Sequence, residues 1–194
     1  MSASAMAPNS GAVSERKQPA TARCDLNAAL LRDLSELSAL LTRIDDDDYR
    51  RRPVGVFESS IGGHVRHCLD HFEALLKGIE SGYMSFDDRR RGTAVETDRS
   101  SALSLMSELE RRINTLSPFD ANQVLELKAL PAAGGSSINV KSSIGREVIF
   151  VLSHTTHHNA IIAAMAKILG VATSERFGVA ASTIVYREQM KCAQ

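Results

Sequence analysis

Apolar residues recur at helical spacing in four segments of the chain. In the first, Leu30, Leu34, Leu37, Leu41 and Ile44 follow one another at steps of 4, 3, 4 and 3, which is one face of a long helix. Asp25 can open that helix as an N-cap or first-turn acid, and the acidic run at 45–48 with Pro53 is expected to end it. The second segment has Ser59 or Ser60 as its cap, with Ile61, Val65, Cys68, Phe72, Leu75, Leu76 and Ile79 as its stripe. The third, SALSLMSELERRINTL, opens at Asp98 or Ser100 and stops at Ser117 and Pro118. The fourth runs from about Ser143 to Leu169, with Gly170 as the residue beyond its C-cap.

The connections differ in character. SGYMSFDDRRRGTAVETDRS reads as a long link with turn chemistry. In NQVLELKALPAAGGSSINVKSS, two alternating apolar stretches flank Pro-Ala-Ala-Gly-Gly and predict a short hairpin. The expected fold is therefore all-α, a four-helix bundle with a short β-hairpin or extended insertion before the last helix. Residues 1–24, rich in Ala, Ser, Pro and Gly without periodicity, are expected to form a flexible N-terminal tail. The bundle then occupies 25–170, and 171–194 is a C-terminal extension of ambiguous pattern.

Composition narrows the function classes. The 194 residues carry 23 basic and 23 acidic side chains, so the formal net charge is zero and the basic surplus of a nucleic-acid protein is missing. The mixed run at 87–92 reads as a solvated loop, although Arg89, Arg90 and Arg91 with Tyr83 are candidates to guide an anionic substrate. Cys24, Cys68 and Cys192 lie far apart with no CxxC, which disfavours a disulfide framework or thiolate zinc site and fits a reducing, cytoplasmic compartment. Cys68 falls among apolar helical positions and is expected to pack as a small hydrophobe. The N-terminus has no unbroken apolar stretch of the secretory kind, and the greasiest run, around 148–169, is interrupted by Ser, Thr, His, Asn and Lys, so neither export nor a membrane span is expected.

The histidines change the picture most. All six fall in two clusters, His64, His67 and His71 on the second helix and His154, His157 and His158 on the fourth. With His154 as origin, Ile144, Val148, Val151, Ile162, Met165 and Leu169 fall at about 20–120° at roughly 100° per residue. His158 lies near ~40° on that arc, His154 at its margin and His157 near ~300°, outside it. Two imidazoles at i and i+4 thus interrupt a core face, an arrangement helical metal sites use. Glu147 falls on the same arc, as a candidate proton acceptor or orienting group, or simply as a helix N-terminal acid. The helix-two histidines form a flank about 100° from the centre of their apolar stripe. The i, i+4 pair with one helix-two histidine makes three neutral nitrogen ligands and leaves a coordination position open, the pattern of a catalytic or exchangeable site. HExxH is absent, because HTTHH has threonines where a zincin needs its Glu, and there is no GxSxG, P-loop or GxGxxG.

SIGGHVRHCLDHF followed by SHTTHHNAII resembles the DinB-like (DinB/YfiT) superfamily of metal-dependent proteins, over most of 25–170. The resemblance implies a four-helix bundle with one histidine ligand on the second helix and an HxxxH on the last. Matched to the family's segments, it places the ligands on His67, His154 and His158, with Asp70 three residues after the first. By angle alone His64 lies nearer the core than His67, so His64 and His71 compete for that place. Asn159-Ala160 replaces the polar group many members carry there. The resemblance also implies a divalent ion, zinc first with nickel, iron and manganese as alternatives, and a small-molecule substrate such as a thiol. Characterised relatives include thiol-dependent transferases and isomerases. Expected here is a metal-dependent S-transferase or hydrolase with Glu147 as its catalytic carboxylate; the alternative is a non-enzymatic metal- or ligand-binding, stress-associated protein. Family members are often dimers, and Phe150, Ile161 and Ile168 beside the main arc need a cover, so a homodimer is expected unless the 171–194 extension folds over them.

Overall fold

The computed structural model describes residues 21–53, 57–117 and 119–192. In chain order the elements are α1 (Thr21–Leu41), α2 (Asp46–Arg50), α3 (Ile61–Ser81), β1 (Tyr83–Ser85), α4 (Ala94–Thr97), α5 (Arg99–Thr115), β2 (Val124–Ala129), β3 (Ile138–Ser143), α6 (Ile144–Ile168) and α7 (Ala181–Cys192). The protein is mostly helical with one small sheet. Leu30, Leu34, Leu37, Leu41 and Ile44 are all buried, as are Ile61, Val65, Cys68, Phe72, Leu75 and Leu76 on α3 and Ile144, Val148, Val151, Ile162 and Met165 on α6. The stripes read from spacing are therefore the faces that meet in the core. α3 and α6 run antiparallel, since His64 meets His158 at one end and His71 meets Phe150 at the other. α5 is tied in at both ends, by Arg99 Nη1 donating to the Leu41 carbonyl (2.9 Å) and by Arg112 pairing with Glu80 (3.0 Å).

Capping chemistry sets most boundaries. Ser60 accepts from the Gly63 amide to open α3, Asp98 from the amides of Ser100 and Ser101 to open α5, and Ser143 from the Arg146 amide to open α6. α6 ends as expected at Gly170, whose φ of 76° only glycine adopts without strain. The Val171 amide reaches back to the Ala166 carbonyl (2.8 Å) and the Gly170 amide to that of Lys167 (3.2 Å), a Schellman closure.

Four expectations need adjustment. α1 begins at Thr21, four residues earlier than expected, and the rest of the anticipated 1–24 tail lies outside the described residues. α1 also stops at Leu41, short of the acidic run. Asp45 instead caps the separate turn α2, accepting from the Asp48 amide at 2.7 Å, and this brings Tyr49 into the core with its hydroxyl on the Val95 carbonyl. The hairpin forms, from Val124↔Ser143 to Ala129↔Ile138, but β1 joins β2 in parallel with Tyr83↔Glu126 to make a third strand in what read as a link. The C-terminal extension contains α7, none of whose residues is buried. Before it, Phe177 is buried, and a Cβ on Gly178 would stand 2.4 Å from the Ala160 amide nitrogen, so this short stretch lies tight on α6. Ile168 stays exposed. Among the described residues no helix is long and apolar enough to cross a membrane.

Candidate metal centre

Antiparallel packing of α3 on α6 brings the two histidine clusters face to face. His67 Nε2 lies 2.8 Å from His154 Nε2, and His64 Nδ1 lies 3.0 Å from His158 Nδ1. His67, His71 and His154 each offer a nitrogen, and these atoms lie within 4.8 Å of one another. His158 adjoins the trio, its ring centroid 4.6 Å from those of both His67 and His154. His157 is exposed, as its angle predicted, and its ring contact to the cluster is with His158.

A backbone hydrogen bond prepares one of these rings, His71, as a donor of its lone pair. His71 Nδ1 stands 2.8 Å from the His67 carbonyl, which can only accept; the proton is therefore on Nδ1 and Nε2 is left with its lone pair. Backing of a ligating imidazole by a backbone carbonyl is the usual support in metal sites. Burial holds the imidazoles neutral. Desolvation, reinforced by the neighbouring rings and by Arg89, lowers His67 to about 2. The same cause lowers His71 to about 4, although its bond to the His67 carbonyl works the other way. His158 falls to about 3, and His64 and His154 are lowered too, again chiefly by desolvation. A cluster of uncharged imidazole nitrogens fits a divalent cation and has little other use for its lone pairs.

Phe86, which spacing did not single out, completes the walls with Phe150 and Arg89. Phe86 stacks on His71 at 4.8 Å and Phe150 on His154 at 5.6 Å, with 5.0 Å between the two phenyl rings. Arg89 donates from Nη1 to His67 Nδ1 at 3.0 Å. Both Phe86 and Arg89 come from the segment after β1, and the sheet fixes that segment. Asp87 accepts from the Leu130 amide (2.8 Å) and Asp88 pairs with Lys128 (3.1 Å), so the run read as a solvated loop is anchored to β2 and the residue after it. Arg91 is exposed, as the solvated reading expected.

Glu147 is fully buried, but it is held away from the histidines. Its Oε1 accepts from Ser142 Oγ (2.5 Å) and Arg146 (2.7 Å), while Oε2 is buried without a hydrogen-bond partner. Seven residues separate it from His154, about 10 Å along the helix axis. Asp70 likewise does not enter the cluster; it pairs with Arg66 at 2.6 Å, and Arg66 also holds Glu96 of α4.

The sequence pattern of the DinB superfamily matches residues 29–162, which include both histidine clusters, all of α3 and most of α6. The chain belongs to the DinB superfamily. A solved DinB-like protein from Bacillus subtilis is similar in fold, with a TM-score of 0.56 at 16% identity over 76% of this chain and 93% of that one. Among curated proteins, FK506-binding protein 5 of Rhizopus delemar is 30% identical over 102 residues. That match takes in 52% of this chain and 26% of the relative, so the chain spans about a quarter of that protein's length. The DinB chain thus has three histidines placed to hold a metal ion, with His64 and His158 beside them.

Proposed function

We propose that this DinB-superfamily chain is a divalent-metal enzyme, a thiol-dependent transferase or a hydrolase, built on a four-helix bundle of α1, α3, α5 and α6. One observation carries the reading: three uncharged imidazoles from two helices present nitrogens within 4.8 Å of one another. His67 and His154 hold the ion, and the third ligand is His71, which the geometry favours, or His158, which the family pattern favours. A bound ion, zinc before nickel, iron or manganese, supplies Lewis acidity at its open position and lowers the pKa of a thiol or water there. Phe86 and Phe150 keep water from the histidine stack and leave a dry wall for the apolar part of a substrate. Glu147, with one oxygen uncommitted, orients groups at the N-terminal end of α6. The free, buried thiol of Cys68 suits a reducing cytoplasm.

The separation of Glu147 from the histidines favours a second reading, a non-enzymatic metal- or ligand-binding protein, because among the described residues no carboxylate joins the three grouped histidines. Elemental analysis of natively purified protein tests the metal. Activity profiling of that holoprotein with thiol cofactors and ester or amide substrates then separates the two readings, since turnover that chelation abolishes excludes the second.

A further inference from the structure

Arg89 stands between the metal centre and a cleft of about 650 Å³ bounded by α3, β1 and α5, which it lines together with Lys77, Tyr83 and Arg90. A guanidinium has donors and no acceptor, so its 3.0 Å contact makes His67 Nδ1 the acceptor. A neutral imidazole carries one proton, which must then sit on Nε2 and be donated to His154 Nε2 at 2.8 Å. That is the wrong nitrogen for a ligand. Nε2 faces the other imidazoles and can bind an ion only with its lone pair free. Moving the proton to Nδ1 frees Nε2 but sets an N–H of His67 against an N–H of Arg89. The Arg89 contact and ligation through Nε2 exclude each other.

The released guanidinium has somewhere to go. Its Nε is already buried without a hydrogen-bond partner. Of the other charges lining the cleft, Arg112 is paired with Glu80, Asp88 with Lys128 and Asp70 with Arg66, whereas Lys77 and Arg90 have no ion-pair partner among the described residues. Their single uncommitted opponent is Glu73, so the cleft has cationic donors to spare for an oxyanion.

We infer that Arg89 is a positioning residue that couples the two sites: an oxyanion in the cleft, carboxylate or phosphoryl, draws Arg89 off His67 and thereby readies His67 for the metal. By linkage, metal bound at His67 tightens the oxyanion by the same factor. The inference rests on the metal-binding reading above.

The test uses the full chain and two readouts. Side-chain ¹⁵N NMR of the metal-free protein should show His67 with its proton on Nε2, and the zinc-loaded protein should show it on Nδ1. Zinc affinity, measured against a chelating indicator at constant ionic strength, should tighten about 5–20-fold when chloride is replaced by acetate or by methylphosphonate, within the usual range of such couplings. The arm that responds identifies a carboxylate or a phosphoryl group. Arg89→Met should bind zinc more tightly than the unaltered chain in chloride and lose the anion response, while Arg89→Lys, which keeps a cationic donor, should retain part of it. A proton on Nδ1 of His67 in the metal-free protein overturns the inference without any variant. So does zinc affinity that is blind to both anions and to Arg89→Met. If His154→Ala binds zinc as well as the unaltered chain does, the metal-binding reading itself has failed and the coupling falls with it.

Discussion

Replacing Asp33 by Asn should make the protein more stable at neutral pH, although it removes a charged residue from a long helix. Asp33 lies on α1 with its carboxyl largely buried, and Oδ2 is shielded from solvent without a hydrogen-bond partner. Burial, with a smaller contribution from Glu36 and partial relief from Arg32, pushes its pKa from 3.8 up to about 7. The unfolded chain ionises near the lower value, so between those two pH values the folded state binds the extra proton and stability falls as pH rises. Ionising the buried acid therefore costs nothing below about pH 4 and its full amount above about pH 7. The rise to about 7 sets an upper bound of about 4 kcal/mol on that amount. An Asn amide has the same shape and no charge, but it brings donors whose own desolvation costs about 1–3 kcal/mol. The net gain for Asp33→Asn at pH 8 is then about 1–3 kcal/mol, or roughly 3–10 °C in Tm for a chain of this size. Urea unfolding of both proteins in the presence of a chelator, from pH 4.5 to 8, measures it. The gap should be widest at pH 8 and shrink steadily toward pH 4.5. Equal stability at pH 8, or a gap that grows as pH falls, refutes the reasoning.

Metal analysis should show about one divalent ion per chain. His67→Ala and His154→Ala should each abolish it, and His157→Ala should retain it because that side chain is exposed. His71→Ala should lose more metal than His158→Ala, the reverse order giving the third place to His158. The metal-free protein should lose stability as pH falls below 6.5, because His71 and His158 are held neutral in the fold with pKa values of about 4 and about 3; the unfolded chain binds their protons first, so acid titration of unfolding should show proton uptake in that window. Light scattering at micromolar concentration should return a dimer mass, since Ile149, Ile168, Val185, Tyr186 and Met190 remain exposed on α6 and α7; a monomer mass removes that expectation.

The long helices were legible because each carries a buried stripe, and α3, α5 and α6 also open on a side chain that accepts their first free amides. Ser60, Asp98 and Ser143 show both signals together. The misreadings share a cause in length. A four-residue acidic run looks like a terminator when read against the 21-residue helix before it, yet Asp45 needs only the Asp48 amide to start a new turn. β1 has three residues, too few to show alternation, and its partner lies some forty positions away on β2. Its existence is a tertiary fact. Nothing local to Tyr83–Ser85 records it.

The centre itself divides along the same line. Regular spacing on a helix exposes which histidines share a face, so both clusters, and the exposed place of His157, follow from about 100° per residue. The partners of those histidines are set by α3 meeting α6 antiparallel, and this is where angle alone left His64 and His67 in competition. In the structure His64 meets His158 while His67 meets His154, and the nitrogens of His67, His71 and His154 lie within 4.8 Å of one another. A run of mixed charge normally belongs in water, since each charge there keeps its hydration. Here Asp87 is satisfied by the Leu130 amide and Asp88 by Lys128, so the two acids are drawn onto the sheet, and the chain between them and α4 must pass over α3. Arg89 then lies inward with only an imidazole nitrogen to accept its proton. The small sheet, which adds little to the core, thus decides what chemistry His67 can offer.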